Sequence, residues 1–320
     1  MTKAAQPGPS QSSPSGRSLG VRIGSLSLKN PFLAASGTCG YGVEIAHVVD
    51  LSTLGGIVTK GLYMAARDGC EVPRIAETPA GLLNAIGLQG VGIRAFVDKV
   101  LPQLRAYDTA VIVNVCGETL EEYAEVSRIA SEAKGVHALE VNISCPNVKT
   151  GGIAFGTDPV MTYEVVSAVR KATSLPVIPK LSPNVTDITV FARACEEAGA
   201  DAISCVNTFL GLAIDVETRK PKLAFGTGGL SGPAIRPLAV RMTWQAARAV
   251  KVPIIGIGGI ASASDALEFF IAGASAVQVG TMNFSRPNIY GEIESGVLDY
   301  MRRHGIFDIA SLVGTIQYPR

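Results

Sequence analysis

The chain has 320 residues, 47% of them hydrophobic and 17% charged, with a formal net charge of +1 at pH 7. That is ample material for a large core, and the near-neutral charge gives no reason to propose nucleic acid or an acidic surface as a partner. No run reaches the ~18 uninterrupted apolar residues of a membrane span, so no membrane partner is expected.

In chain order, Met1 to Gly20 is rich in Ser, Pro, Gly and Gln without an apolar run. It reads as a disordered tail rather than a signal or an anchor, leaving 21–320 as a single domain. Val21 to Leu28 has the pattern of a short β-hairpin turning at Gly24-Ser25. Short apolar runs of strand length then recur at Phe32–Ala35, Gly56–Thr59, Val111–Val115, Leu139–Ile143, Val177–Leu181, Ala202–Val206, Ile254–Ile257 and Ala276–Val279. Between most of them the spacing is helical: Ile93–Leu104, Leu120–Ala133, Val160–Ala172, Ile188–Ala198, Ala234–Val250 and Ser264–Ala272. Asp158-Pro159, Ser231-Gly232-Pro233 and Ser262-Ala263-Ser264 are expected to cap three of these. Strands that are apolar throughout and alternate with helices form a parallel sheet buried on both faces. Eight such units predict an α/β fold, the (β/α)8 TIM barrel, with its active site at the C-terminal strand ends. An open doubly wound sheet would want a G-x-G-x-x-G turn after the first strand, and Ala35 to Gly40 lacks that spacing.

The barrel reading demands polar residues at the strand ends. They are there: Ser36, Thr59-Lys60, Asn114, Asn142-Ser144-Cys145, Lys180, Asn207-Thr208, Gly258-Gly259 and Gly280-Thr281. Two lysines and three asparagines turned toward one cavity are poorly explained by solvation, because an unpaired buried ammonium is costly. The glycines of Gly256 to Ile260 and of Val279-Gly280-Thr281 allow backbone to approach a phosphate after the seventh and eighth strands. Thr227 to Gly232 adds a flexible, glycine-rich segment on the same rim. A phosphate with a long body across the barrel mouth points to a nucleotide-like cofactor.

Lys60 and Lys180 suit a flavin, since an ammonium beside the ring stabilises the negative charge of its reduced form. They equally suit phosphate or carboxylate anchoring, and for Lys60 both readings stand. Asn84, Asn142 and Asn207, with Thr208, offer donors and acceptors to an amide-rich planar ligand such as a pyrimidine. A turn cap is the better reading for Asn147 and Asn184. The six cysteines contain no C-x-x-C pair, so no zinc or iron–sulfur site is expected within this chain, and free thiols favour a reducing cytosol. Cys145, just before Pro146, reads as a nucleophile, a base or a buried bystander. His47, His137 and His304 fall on predicted helices or just before a strand, which leaves Cys145 as the best titratable group for proton transfer.

Four motifs carry a resemblance. They are Asn142-Ile143-Ser144-Cys145-Pro146-Asn147, Glu77 to Leu88, Thr218-Arg219-Lys220-Pro221 and Gly226 to Pro233. Together, within about Asn30 to Asn283, they resemble the dihydroorotate dehydrogenase family, and within it the NAD-linked class 1B type. The resemblance implies an FMN enzyme that oxidises dihydroorotate to orotate in pyrimidine (UMP) biosynthesis. It implies Cys145 and Lys60 as catalytic residues, Cys145 taking the C5 proton while the C6 hydride passes to flavin N5. Around FMN it places Ser36, Thr59, Lys60, Asn114, Asn142, Lys180, Val206, Gly232, Gly258, Gly259, Gly280 and Thr281. Around the substrate it places Lys60, Asn84, Ala85, Ile86, Gly87, Leu88, Asn142, Asn207 and Thr208.

The same resemblance implies a cytoplasmic homodimer that joins a partner subunit carrying FAD and an iron–sulfur cluster. The two form a heterotetramer that delivers electrons to NAD. Class 1A homodimers that reduce fumarate share many of these motifs. Class 2 enzymes use serine as base and carry an N-terminal membrane-associating extension, which Cys145 and the polar tail argue against. Two rivals remain: a flavoenzyme similar to dihydropyrimidine dehydrogenase, and a flavin-free barrel using Lys180 as a Schiff-base amine.

Overall fold

The computed structural model describes residues 16–144 and 155–318. Eight parallel strands close into a barrel: β1 (Phe32–Ala34), β2 (Gly56–Val58), β3 (Ala110–Val115), β4 (Ala138–Asn142), β5 (Val177–Lys180), β6 (Ile203–Cys205), β7 (Ile254–Ile257) and β8 (Ala274–Val279). Each pairs with its neighbour in sequence, and β8 returns to β1 through Gln278 opposite Leu33. All eight expected runs are strands, with ends displaced by at most two residues. Every residue of β3 and β4 is buried, as expected where helices cover the outer face and side chains fill the inner one.

The covering helices start where short polar side chains satisfy their first N–H groups. Thr119 caps Leu120–Glu132, Asp158 caps Pro159–Ala172, Asp187 caps Ile188–Glu197 and Ser262 caps Ala263–Ala272. Ile93–Leu104 is helical throughout, with a π-helical stretch from Phe96 to Val100. The helix Arg236–Ala249 departs from expectation at its start. The preceding turn Pro233–Ile235 is capped by Gly232 without a side-chain bond, because Ser231 Oγ is taken up by Leu82 O and Thr281 Oγ1. A further helix, Ile289–Arg303, buries Ile289, Ile293, Val297 and Met301 at four-residue spacing along one face.

The hairpin Val21–Ile23/Leu26–Leu28 buries its four apolar residues and exposes Arg22 and Ser27. Its turn lies against Asp201, just ahead of β6, so it closes the N-terminal end of the barrel. Order reaches N-terminal of Gly20: Leu19 is buried, Ser18 N–H donates to Phe307 O, and Ile309 N–H donates to Ser18 O.

Over the opposite end lies a sheet that the strand pattern does not announce. Four antiparallel strands run in the order Phe209–Gly211, Gly228–Ser231, Gly81–Asn84 and Ile75–Thr78, drawn from the segments after β2 and β6. The glycine-rich segment Thr227 to Gly232, expected to be flexible, is an inner strand of this roof. Its glycines are there for proximity rather than mobility. A Cβ on Gly229 would stand 2.1 Å from Thr208 Oγ1. Gly229→Ala is therefore expected to push the Thr208 loop aside at a cost of about 1–3 kcal/mol. The check is a melting curve together with a KM for substrate; parental values of both would show that the loop yields freely.

Candidate active site

The barrel interior converges on one carboxylate. Glu140 on β4 is fully buried and accepts hydrogen bonds from Asn114 Nδ2 on β3 (2.8 Å), Ser204 Oγ on β6 (3.0 Å) and Gln278 Nε2 on β8 (2.7 Å). Lys180 Nζ on β5 lies 3.5 Å from Glu140 Oε1, and both side chains are almost wholly buried. Two residues along β4, toward the mouth, Asn142 Nδ2 donates to Asn114 Oδ1 (3.4 Å), and Asn142 Oδ1 accepts from Ser144 N (3.3 Å). Ser144 Oγ donates to Lys180 O (3.2 Å), and Tyr123 O–H donates to Asn142 O (2.6 Å). Thr59 Oγ1 accepts from Asn114 N (3.1 Å), which brings the end of β2 into the same cluster. Four of the expected flavin residues, Thr59, Asn114, Asn142 and Lys180, thus form one continuous network.

The end of β7 forms a close backbone cradle with Gly232 and Arg236. Gly259 has φ +75°, and a Cβ there would meet Gly232 O and Arg236 N at 2.9 Å, so only glycine lets these segments touch. The Thr281 and Ser231 hydroxyls, 2.8 Å apart, tie the end of β8 to the roof. Val206 is buried and bonds through its N–H to Ile257 O, joining β6 to β7, while Ser36 sits partly exposed in the turn after β1.

Lys60 sits across the mouth. Its neighbour Gly61 packs against Asn114 Oδ1, Cys116 Sγ and Leu88, which links β2, β3 and the Ala85–Leu88 loop. Within that loop the Ala85 N–H is committed to Arg74 O, and Gly87 and Leu88 both have positive φ (+73° and +54°). A leucine held there is strained, a condition that concentrates at binding sites. Asn84 Nδ2 donates to Gly229 O (3.1 Å), and Asn207 Oδ1 accepts from Thr208 N (2.8 Å). Asn184 braces that segment, bonding Thr208 O and Leu210 N, as a turn-holding residue should. Of the expected substrate residues only Asn142 joins the buried network; Asn84, Asn207 and Thr208 bond outside it.

Burial, and then the charge of Arg74, holds the Lys60 ammonium below the ordinary lysine range, with Glu44 opposing. An anion bound by Lys60 needs the protonated form, so its affinity falls as pH rises. That fall should come at lower pH than an ordinary lysine would give. Arg74→Gln should shift the KM-against-pH limb upward; an unmoved limb would take Lys60 out of anion binding.

Among the described thiols, burial pushes Cys39 and Cys205 up to about 12 and raises Cys195 further, so none of these is poised for proton transfer. Cys145 lies outside the described residues. The chain on either side is anchored: Ser144 as above, and Phe155 edge-on to Tyr123 with ring centroids 5.6 Å apart. The histidines stand apart from the network. His137 Nδ1 accepts from Val111 N near the start of β3, and His304 stacks on Tyr300 at the end of the last long helix. Among the described residues no His, Cys, Asp or Glu group is arranged to hold a metal ion, and no helix is long and apolar enough to cross a membrane.

Sequence reasoning passed over Glu140, Ser204, Gln278 and Tyr123. The available signal was a glutamate between Leu139 and Val141 in a strand buried on both faces, where an ionised group persists only with partners.

An ammonium, two carboxamides and a threonine hydroxyl beside a glycine cradle fit a planar, phosphate-bearing redox cofactor such as a flavin. The family model described as dihydroorotate dehydrogenase matches residues 18–301. The chain is 58% identical over 299 residues to the dihydroorotate dehydrogenase B (NAD(+)) catalytic subunit of Trichlorobacter lovleyi, covering 93% of this chain and 98% of the relative. It is 56% identical over 297 residues to the subunit of the same name from Porphyromonas gingivalis, covering 92% and 97%. The chain belongs to the dihydroorotate dehydrogenase family. Its fold is also that of the Eimeria tenella DHODH solved with ferulenol, with a TM-score of 0.79 at 20% identity over 94% of this chain and 89% of that one.

Proposed function

We propose that this chain is the FMN-bearing catalytic subunit of an NAD-linked dihydroorotate dehydrogenase, which oxidises dihydroorotate to orotate in pyrimidine biosynthesis. The observation that carries this reading is the Asn114–Asn142–Lys180 cluster, set between the glycine cradle and a ring of amide side chains. FMN, when bound, supplies the acceptor for the substrate's C6 hydride.

The chain's own residues do the rest. Lys180, Asn114, Asn142 and Thr59 offer the donors for the ring edge, with Ser36, Lys60 and Val206 bordering it. Gly232, Gly258, Gly259, Gly280 and Thr281 receive the phosphate. Cys145 takes the C5 proton on its Sγ, so the two charges leaving the substrate go to opposite sides of its ring. Lys60 and the N–H groups of Ile86, Gly87 and Leu88 hold the substrate carboxylate, Ala85 serving through its backbone bond to Arg74. Asn84, Asn142, Asn207 and Thr208 hold the amide edges.

A partner subunit with FAD and an iron–sulfur cluster passes the electrons to NAD. The finer assembly belongs to the same proposal: a homodimer of this chain with two partner subunits, in the cytoplasm. The free thiols of Cys39, Cys70, Cys195 and Cys205 support a reducing compartment. Exposed Leu210, Leu212, Ile214 and Val216 at the edge of the roof support a protein-covered face.

The test is anaerobic. Dihydroorotate is added to the yellow chain, the flavin band is followed, and NAD or fumarate is then supplied. Bleaching reversed by NAD only with the partner subunit present is the expected result. Reversal by fumarate alone moves the acceptor assignment to class 1A, and a colourless chain overturns the function.

A further inference from the structure

We infer that Glu140 is the positioning residue of the flavin site: it fixes the Lys180 ammonium and offsets part of its charge, and so sets how strongly that ammonium favours reduced FMN. This rests on the proposal that Lys180 faces FMN. Glu140 touches no part of the mouth itself. It is fully buried and is held by donors from three strands, Asn114, Ser204 and Gln278, besides Lys180 at 3.5 Å.

Packing does not explain such a group. Leu139 and Val141 show what β4 uses where only packing is needed. Stability does not explain it either, because a buried ion pair is commonly no better than well-packed apolar side chains. What Glu140 does provide is a fixed negative charge beneath a buried ammonium. That charge, 3.5 Å from the ammonium, reduces its field at the ring. Ser204 and Gln278 hold Oε2, while Asn114 shares Oε1 with the ammonium. The Glu140–Lys180 contact is the longest of its four, which leaves ammonium N–H groups free for a ligand.

The probe is sulfite, which adds to flavin N5 to give an anionic adduct and so reports the same electrostatic preference without turnover. On the FMN-loaded chain, Glu140→Gln should tighten sulfite binding on the order of tenfold. That corresponds to about 30 mV for a two-electron couple. Glu140→Asp, which keeps the charge, should bind sulfite like the parent. Loss of FMN from Glu140→Gln with normal loading of Glu140→Asp would also support the assignment, since the shorter Asp keeps the charge that the isosteric Gln lacks.

A yellow Glu140→Gln protein with parental sulfite affinity overturns it. So does equal loss of FMN from both variants, which would make Glu140 a packing residue. A colourless parent removes the flavin site itself; a yellow parent with an indifferent Glu140→Gln removes this inference alone.

Discussion

Cys145→Ala should remain yellow and yet be reduced by dihydroorotate at least ~10²- to 10⁴-fold more slowly than the parent, the usual contribution of one acid–base group, and more if no water substitutes. The expectation combines elimination with placement. His137 and His304 stand away from the barrel mouth, and burial has raised the Cys39, Cys195 and Cys205 thiols out of useful range. Ser144, the residue before Cys145, is fastened to Asn142 and to Lys180 O, in the middle of the network assigned to the flavin. On the proposed roles, Cys145 would act on a substrate held by Asn84, Asn207 and Thr208. Stopped-flow reduction under anaerobic conditions measures the step directly. FMN content and sulfite affinity should match the parent, because the cofactor's donors lie elsewhere. A reduction rate within a few-fold of the parent would remove Cys145 from the chemistry and leave the remainder of the site intact.

Lys180→Ala should lose FMN and melt several degrees lower. The first effect follows from removing the buried ammonium from the cofactor's donor set. The second follows from leaving Glu140 buried without its counter-ion. Breaking such a pair costs about 3 kcal/mol at the lower end of the range, appropriate here because three hydrogen bonds to the carboxylate survive. The two effects separate in a double variant. Lys180→Ala with Glu140→Gln removes both charges and should recover most of the melting temperature while remaining colourless. If the single variant binds FMN fully and shows parental redox behaviour, Lys180 is not a flavin ligand. If the double variant melts no higher than the single one, the pair is not what stabilises the interior.

The sequence disclosed the barrel because its strands are buried on both faces, so each appears as an unbroken apolar run such as Val111 to Val115. The roof escaped for the opposite reason. Gly228–Ser231 is four residues of glycine, leucine and serine, and its partner Gly81–Asn84 lies well over a hundred residues earlier, so neither periodicity nor a nearby turn marks the pairing. Composition alone then made a packed strand look like a mobile loop.

The site divides in the same way. Asn114, Asn142 and Lys180 were legible as polar residues ending apolar strands. Glu140 was equally visible as a charge inside one, but its meaning depends on Ser204 and Gln278, which only barrel closure brings within reach. The Ala85 N–H looked available and is spent on Arg74, a contact no spacing rule reveals.

The roof is made of two insertions, one after β2 and one after β6, laid over a barrel whose own strands carry the Glu140–Lys180 network. Heredity can therefore edit the two parts separately. Rewriting Ile75–Asn84 or Phe209–Ser231 changes what is admitted to the ring without disturbing Glu140 and Lys180 beneath it. In a library confined to those two stretches, the colour of each colony would report an intact floor, and only its choice of pyrimidine would differ.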